Sequence, residues 1–296
     1  MSAEHMLLQT FVNGVMSALI LILVASGLCL IFGIMHIVNF AHGEFYMLGG
    51  FGVWVLFAEN LVPMGGGGTA QYILALILSM ILVGILGVIV ERFLYRPFVD
   101  NLATMMIVSF GVIMVLQASA LVIFGVQDKS FSSPFSGMMS IGKISISEER
   151  LAVVICGVIF IIALYLFIKH TKLGKAMRAV AQDMEAASVL GININRMYSL
   201  AMGIACALAA AGGALVGPIY YVNPYMGVDP VLKSFVAVIL GGMGSLPGAV
   251  IGGFIIGMTE SFVATYLGGH LATIMLFLIL IGVLIFKPAG IFGYEE

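Results

Sequence analysis

Two polar clusters interrupt an otherwise apolar sequence. The first, His36-Ile-Val-Asn-Phe-Ala-His-Gly-Glu44, sets an amide, an imidazole and a carboxyl close together. Such groups can bind a small polar solute or cap helix ends. Metal ligation fits poorly, because His36 and His42 are six apart, which matches no usual ligand spacing, and no cysteine accompanies them. On a helix, Asn39, His42 and Tyr46 share a face and Glu44 points elsewhere. The apolar run that follows, 45–58, reaches only ~21 Å as a helix, so a complete span must recruit part of 36–44. Asn39, His42 and Glu44 then sit in the inner part of a bilayer. A charge at a helix centre there costs ~2.5–3.5 kcal/mol and usually faces protein or a wet cavity. Two readings stay open: an interfacial turn whose polar groups cap helix ends, or an interrupted helix bordering a solute path. Gln117 and Glu260 are the other polar groups inside apolar runs. Gln117 suits an interhelical hydrogen bond, and the neighbouring hydroxyls of Thr259 and Ser261 are able to satisfy Glu260.

The second cluster is 174–191. At 100° per residue Lys175, Arg178, Gln182 and Glu185 form one stripe, and Met177, Val180, Met184 and Ala187 the opposite one. That pattern predicts one amphipathic helix of about four turns, stopped by Gly191. Ala and Met anchor weakly in lipid beside Trp or Phe and suit a groove in a partner protein.

The elements around these clusters are membrane helices. Hydrophobic residues make up 62% of the 296 residues and charged residues 9%, with a mean hydropathy of +1.19. A soluble domain carries roughly 25% charged residues, so a water-soluble fold is excluded. Apolar runs at 7–35, 71–90, 102–124, 151–168, 197–217 and 248–286 supply spans of the required ~20 residues. The N-terminus lacks a basic signal-peptide region, and its first run is too long for one, so it is expected to stay as a span. A net charge of −2 gives no reason to expect nucleic acid. Cys29, Cys156 and Cys206 all lie in apolar runs and read as small hydrophobes, not a disulfide framework.

Loops 91–101 and 169–196 hold seven basic residues: Arg92, Arg96, Lys169, Lys172, Lys175, Arg178 and Arg196. Lys129, Lys143 and Arg150 stand in the opposing loops, and the Gly-rich loop 58–70 has none. The positive-inside rule puts the first group in the cytoplasm and the N-terminus outside. Segment 232–243 measures ~18 Å as a helix, too short to span, and ends in Gly244-Ser-Leu-Pro-Gly248. It reads as a half-helix followed by spans near 248–267 and 271–286, which makes eight spans and leaves Lys287 outside. If 232–243 crosses, there are nine and Lys287 is inside. The expected fold is an all-α integral membrane bundle of eight to nine spans with a re-entrant half-helix. It forms one domain, 1–296, containing the cytoplasmic loop 169–196. Glycines and alanines spaced by four (Gly244, Gly248, Gly252; Gly253, Gly257; Gly203, Ala207, Ala211) suit close packing, within the chain or between subunits.

Glu185-Ala-Ala-x-x-x-Gly191 resembles the start of the coupling motif of bacterial ATP-binding-cassette importer permeases. The Ile-x-Leu-Pro that completes the longer version is absent, as in the branched-chain amino acid branch. The chain resembles that branch, in its high-affinity first-permease type, over roughly 11–293. Further shared pieces are Ile37–Glu44, Glu91-Arg92 through Arg96-Pro97, Leu240–Ala249 and Lys287-Pro-Ala-Gly290. The resemblance implies a fold similar to the vitamin B12 importer permeases and a place in the bacterial inner membrane. It also implies a second homologous permease, two cytoplasmic ATPases and an external solute-binding protein as partners, all around a lipid bilayer. This chain would bind no cofactor, and ATP with Mg would be used by the ATPases. The sequence agrees that it is no ATPase, since Gly174-Lys175 lacks the upstream glycine of a phosphate loop and continues with Ala176. On this reading Arg178, Asp183 and Glu185 contact an ATPase, while Ala186, Ala187 and Gly191 allow close approach. Asn39, His42, Glu44 and Glu260 would border the solute path beside the break at Gly241, Gly242 and Gly244. Alternating access then carries small amino-acid-like solutes inward. The rivals are an ion-coupled secondary transporter and a passive channel.

Overall fold

A computed structural model describes residues 3–59, 61, 68–99, 101–135, 137–141, 144–287 and 289–292. Most of loop 58–70, together with Lys143 and Pro288, lies outside the described residues. The helices are α1 (Ala3–Met35), α2 (His42–Val53), α3 (Thr69–Val90), α4 (Leu102–Phe124), α5 (Glu148–His170), α6 (Lys172–Gln182), α7 (Met184–Val189), α8 (Ile194–Val216), α9 (Val228–Gly241), α10 (Leu246–Tyr266) and α11 (Gly269–Phe286). A π-helical turn, Trp54–Ala58, continues α2. A second, Glu91–Tyr95, and a short 3-10 turn, Arg96–Phe98, continue α3. A small hairpin, β1 (Met138–Ile141) with β2 (Ile144–Ser147), precedes α5. Among the described residues, seven helices are long and apolar enough to cross a membrane: α1, α3 with its extension, α4, α5, α8, α10 and α11.

The apolar sequence supplies no hydrophobic contrast between helix and lipid, so packing depends on small residues that let backbones approach. Helix α8 is the centre of this packing. Ala205, Ala209, Ala210 and Ala214 are wholly buried, and α1, α2 and α3 lie against it. Helices α1 and α10 interlock the same way, with Gly257 against Ala18 and Gly253 against Ile22. The glycine stripes of α10 therefore serve contacts within the chain. The three cysteines are free.

Helix polarity decides the crossing number. Helix α10 is antiparallel to α1: Gly33 lies beside Gly244, and Ser261 Oγ donates to Thr10 O at 2.8 Å. Helix α8 is antiparallel to α1 as well, with Gly27 beside Ala205 and Val24 beside Gly212. Since both helices run outward, α8 ends and α10 begins on opposite sides, and the chain between them must cross. Of the two expectations, this polarity fits nine spans and not eight; with the N-terminus outside, as the positive-inside rule places it, Lys287 is inside. Counting the helix alone misses this, because irregular backbone supplies the rest of the crossing. Residues 217–227 run back into the bundle, where Val222 is buried and pairs with Lys129 through two backbone bonds of 2.8 and 2.9 Å. Such backbone is tolerated at membrane depth when it is enclosed by protein. The C-terminal segment is fastened to the inner end of α9, Ile291 N donating to Leu240 O at 2.9 Å and Phe292 N to Gly241 O at 3.0 Å.

Two further expectations change. Asn39 is not helical: α1 stops at Met35, His36 takes a positive φ of 55°, and α2 begins only at His42. The predicted single helix 174–191 is two, α6 and α7, broken at Asp183, whose side chain bonds the following backbone and not the preceding turn.

Candidate functional site

The elbow α6–α7 is held at each bend by a side-chain cap. Thr171 Oγ1 accepts from Gly174 N at 2.9 Å and starts α6 directly after α5. Asp183 Oδ1 accepts from Ala186 N at 2.9 Å and starts α7. Gly191 ends it with a φ of 83°, as expected: Gly191 N donates to Ser188 O at 2.9 Å and Ile192 N to Ala187 O at 3.0 Å. Asn193 Oδ1 then accepts from Arg196 N at 3.0 Å and opens α8. Capping bonds of this kind are each worth ~1 kcal/mol, and they fix the elbow to the end of α5 and the start of α8.

Which face is free differs from the sequence expectation. The stripe of Met177, Val180 and Ala187 is buried against this chain's own helices, so it is not open to a partner. The exposed surface includes Met184, the one member of the predicted apolar stripe left open at 36% exposure, with Lys175, Arg178, Gln182, Asp183, Glu185 and Ala186, continued by Val189 and Leu190 at 87% and 80% exposure. Sequence reasoning passed over Val189 and Leu190. The signal was there: two large apolar residues directly before a helix-stopping glycine.

Beside the elbow, Glu91 forms a clamp. Its carboxylate, fully buried, accepts from Arg96 Nε at 2.9 Å, Arg96 Nη2 at 2.7 Å and Ser199 Oγ at 2.7 Å. Arg96 also donates to Asn195 O at 3.1 Å. The clamp joins the extension of α3 to the first turns of α8. The π-helical turn Glu91–Tyr95 brings Arg96 back over Glu91, five residues earlier.

The first polar cluster occupies a junction inside the bundle. Asn39 Oδ1 accepts from Ala41 N at 3.1 Å and from Tyr95 Oη at 2.8 Å. His42 Nε2 lies 3.1 Å from Val24 O. Glu44 Oε1 accepts from Gln117 Nε2 at 2.9 Å, the interhelical bond expected of Gln117. In this conformation Asn39, His42 and Glu44 are 1%, 0% and 3% exposed. Phe40 stacks on Phe110 of α4 and leans on Phe235 of α9, with ring centroids 5.0 and 5.1 Å apart.

Here two half-helices begin head to head. Gly43, in the first turn of α2, and Gly227, the residue before α9, touch backbone to backbone, so that a Cβ on either would overlap the other's carbonyl. Helix N-termini carry the positive end of the dipole. Glu44 and Asp229 occupy the two first turns. Among the described residues, four buried side-chain polar atoms lack a hydrogen-bond partner: Ser26 Oγ, His42 Nδ1, Glu44 Oε2 and Ser234 Oγ. All four are carried by α1, α2 and α9, the helices that meet at this junction. Unsatisfied buried polar groups are rare in folded proteins, and these four set the three helices apart in an apolar bundle.

Glu260 is satisfied not by Thr259 or Ser261 but by Lys233. Lys233 Nζ lies 2.6 Å from Glu260 Oε1 and is also paired with Asp229. Lys233, a lone cation in an apolar run four residues after an aspartate, was missed by sequence reasoning. The Gly241–Gly244 turn stands at the inner end of α1, beside Gly33, with positive φ at Gly242 and Gly244. The discontinuity within the bundle is therefore at Gly227, and Gly241, Gly242 and Gly244 lie at the far end of α9 from it.

The branched-chain amino acid transport system / permease component family model matches residues 10–285. The chain is 35% identical to the high-affinity branched-chain amino acid transport system permease protein LivH of Salmonella typhimurium, covering 98% of this chain and 96% of that one. It is 33% identical to LivH of Escherichia coli K12 and 34% identical to the corresponding protein BraD of Pseudomonas aeruginosa, with the same coverage. No solved structure matches.

Proposed function

The chain belongs to the branched-chain amino acid transport system permease family, and from that premise we propose how it is driven and what it carries. It is the transmembrane permease subunit of an ATP-binding-cassette importer, a multi-pass inner-membrane protein and a transport component that associates with the importer's other subunits. The finer assignments are ours. One transmembrane unit, 1–296, pairs with a second homologous permease. Two cytoplasmic ATPases bind and hydrolyse ATP with Mg, and an external binding protein delivers the solute. Branched-chain amino acids are the favoured solutes, since the similar proteins LivH and BraD are named for them.

The observation that carries the coupling assignment is the exposed end of α7. Val189 and Leu190 project from a rigidly capped elbow on the cytoplasmic side, where two large apolar side chains gain by burial in a partner. Arg178, Asp183, Glu185 and Ala186 flank them. Ala187 faces inward and seats α7 on the bundle, while Gly191 sets the turn. Closure of the ATPases would displace the elbow. Helix α5 would follow through Thr171, α8 through Asn193, and the extension of α3 through the Glu91–Arg96 clamp.

Because α8 packs on α1 and α2, its displacement reaches the junction at Gly43 and Gly227. Opening there would present His42 and Glu44 to the solute, with Asn39 behind them, and the exit would lie past Gly241, Gly242 and Gly244. Glu260 contributes by holding Lys233 on α9. That pairing weakens the secondary-transporter alternative, since an ionisable group it would need is already neutralised by a partner.

The test replaces Leu190 with cysteine in the assembled importer and seeks a cross-link to an ATPase subunit, with uptake and ATP hydrolysis measured for Glu185→Arg. Cross-linking, and hydrolysis that persists while uptake falls, support the assignment. Normal uptake by Glu185→Arg together with no cross-link refutes it.

A further inference from the structure

Away from the solute path, the outer side of α3 and α8 carries two adjoining cavities. One, about 440 Å³, is apolar and lined by Ile77, Ile81, Ile85 and Val88 of α3 with Gly203 and Ala207 of α8. The other, about 510 Å³, is lined by Arg92, Arg96 and Arg196 with Asn193 and Asn195. Val88, Ser199 and Leu200 line both, so the two form one continuous groove.

The sequence dictates this shape. Residues 77, 81, 85, 88, 92 and 96 follow one another at helical spacing, so the apolar wall and the arginines lie on one face of α3 and its extension. Gly203 and Ala207 floor the groove because they have little or no side chain to fill it. The 77–88 stretch rises ~16 Å, about one leaflet of a ~30 Å hydrocarbon core. The arginines stand at its cytoplasmic end, at headgroup level.

Charge decides the occupant. Arg96 is already paired with Glu91, which is buried behind it. Arg92 and Arg196 are exposed, no acidic side chain lines the arginine cavity, and no ion pair of theirs occurs among the described residues. Two unpaired guanidinium groups, with two asparagines beside them, suit a phosphate with hydrogen-bond acceptors to spare. A free phosphate would leave the apolar length unused, and an acidic partner side chain would not reach below the headgroups.

We propose that the α3–α8 groove is a binding site for an anionic phospholipid of the cytoplasmic leaflet, its phosphate held by Arg92 and Arg196 and one acyl chain lying along Ile77–Val88. The site rests on the Glu91 clamp, where α3 meets the start of α8, so a bound lipid would brace the link between the elbow and the bundle.

The test is native mass spectrometry of the purified importer exchanged against phosphatidylglycerol and phosphatidylcholine of identical acyl chains. Preferential retention of phosphatidylglycerol is expected. Arg92→Gln with Arg196→Gln should weaken it about thirtyfold, the factor that two arginines contribute toward an anionic headgroup. Ile81→Trp, which fills the groove from an exposed position, should lower retention of both lipids. Equal retention of the two lipids by the unaltered chain, or unchanged phosphatidylglycerol on the arginine double variant, overturns the proposal. A photo-crosslinker at residue 81 gives an answer that does not depend on those variants folding. Capture of lipid supports the site, and capture of the second permease means that a subunit interface covers the groove and refutes it.

Discussion

Gly43 and Gly227 meet backbone to backbone where α2 and α9 start, one helix running outward and the other inward. Neither position has room for a methyl group without displacing the other's carbonyl. Gly43→Ala should therefore lower stability by ~1–3 kcal/mol, as overpacking does, and depress uptake, because the half-helices separate at the point they pivot on. Gly111→Ala, where nothing lies within 4 Å of the added carbon, is the control. Thermal unfolding in detergent measures both, and a Gly43→Ala chain as stable and active as the control would disprove the close contact.

The Glu91–Arg96 clamp is predicted to be structural and to transmit motion. Glu91→Gln leaves a guanidinium half paired in a partly buried setting, and breaking such a pair costs about 3 kcal/mol at the lower end of the usual range, since Arg96 is 25% exposed. Arg96→Lys keeps the charge but loses the two-pronged geometry, and should fall between native and Glu91→Gln. Urea or heat titration ranks the three, and any other order argues against the clamp.

Val189 and Leu190 should behave differently from core residues. Each is almost wholly exposed, so Val189→Ser and Leu190→Ser should change the stability of the isolated chain by no more than ~0.5 kcal/mol. Retention of the ATPases through purification should nonetheless fall. If the complex stays intact, the contact lies elsewhere on the elbow.

Lys233 and Glu260 should be coupled. Lys233→Met strands Glu260 in the bundle, whereas Lys233→Met with Glu260→Met removes both charges. The double variant is expected to be more stable than Lys233→Met alone, by roughly 0.5–3 kcal/mol in a double-mutant cycle. Additive losses would show that the pair is too solvated to matter.

Glu44 should tolerate a neutral isostere structurally. Glu44→Gln retains a carbonyl to accept from Gln117, and it removes a charge whose second oxygen has no partner. Assembly should survive and uptake should change at least severalfold. Native uptake with native assembly would remove Glu44 from the solute path.

Much of this was legible in the linear order of residues, for identifiable reasons. The long spans follow from hydropathy, because a bilayer accepts only helices of sufficient apolar length. Gly191 as a stop was readable, since few other residues take its backbone angle without cost. The break at Asp183 was also within reach: an aspartate three residues before an available N–H is a helix start, yet amphipathic periodicity ran through it undisturbed. Lys233 escaped notice because it sits inside a run judged only by length.

Composition and local pattern alone determined a polytopic helical membrane protein, its long spans, the amphipathic segment 174–191 and the polar residues within the apolar runs, because each of these depends on neighbours in the chain. The tertiary structure decided the rest: nine crossings, the meeting of Gly43 with Gly227, the inward turn of the Met177 face, and the pairing of Lys233 with Glu260. Those are contacts between residues 27 to 251 positions apart. In an apolar bundle, where every helix face is hydrophobic, only backbone fit and buried polar pairing select among them.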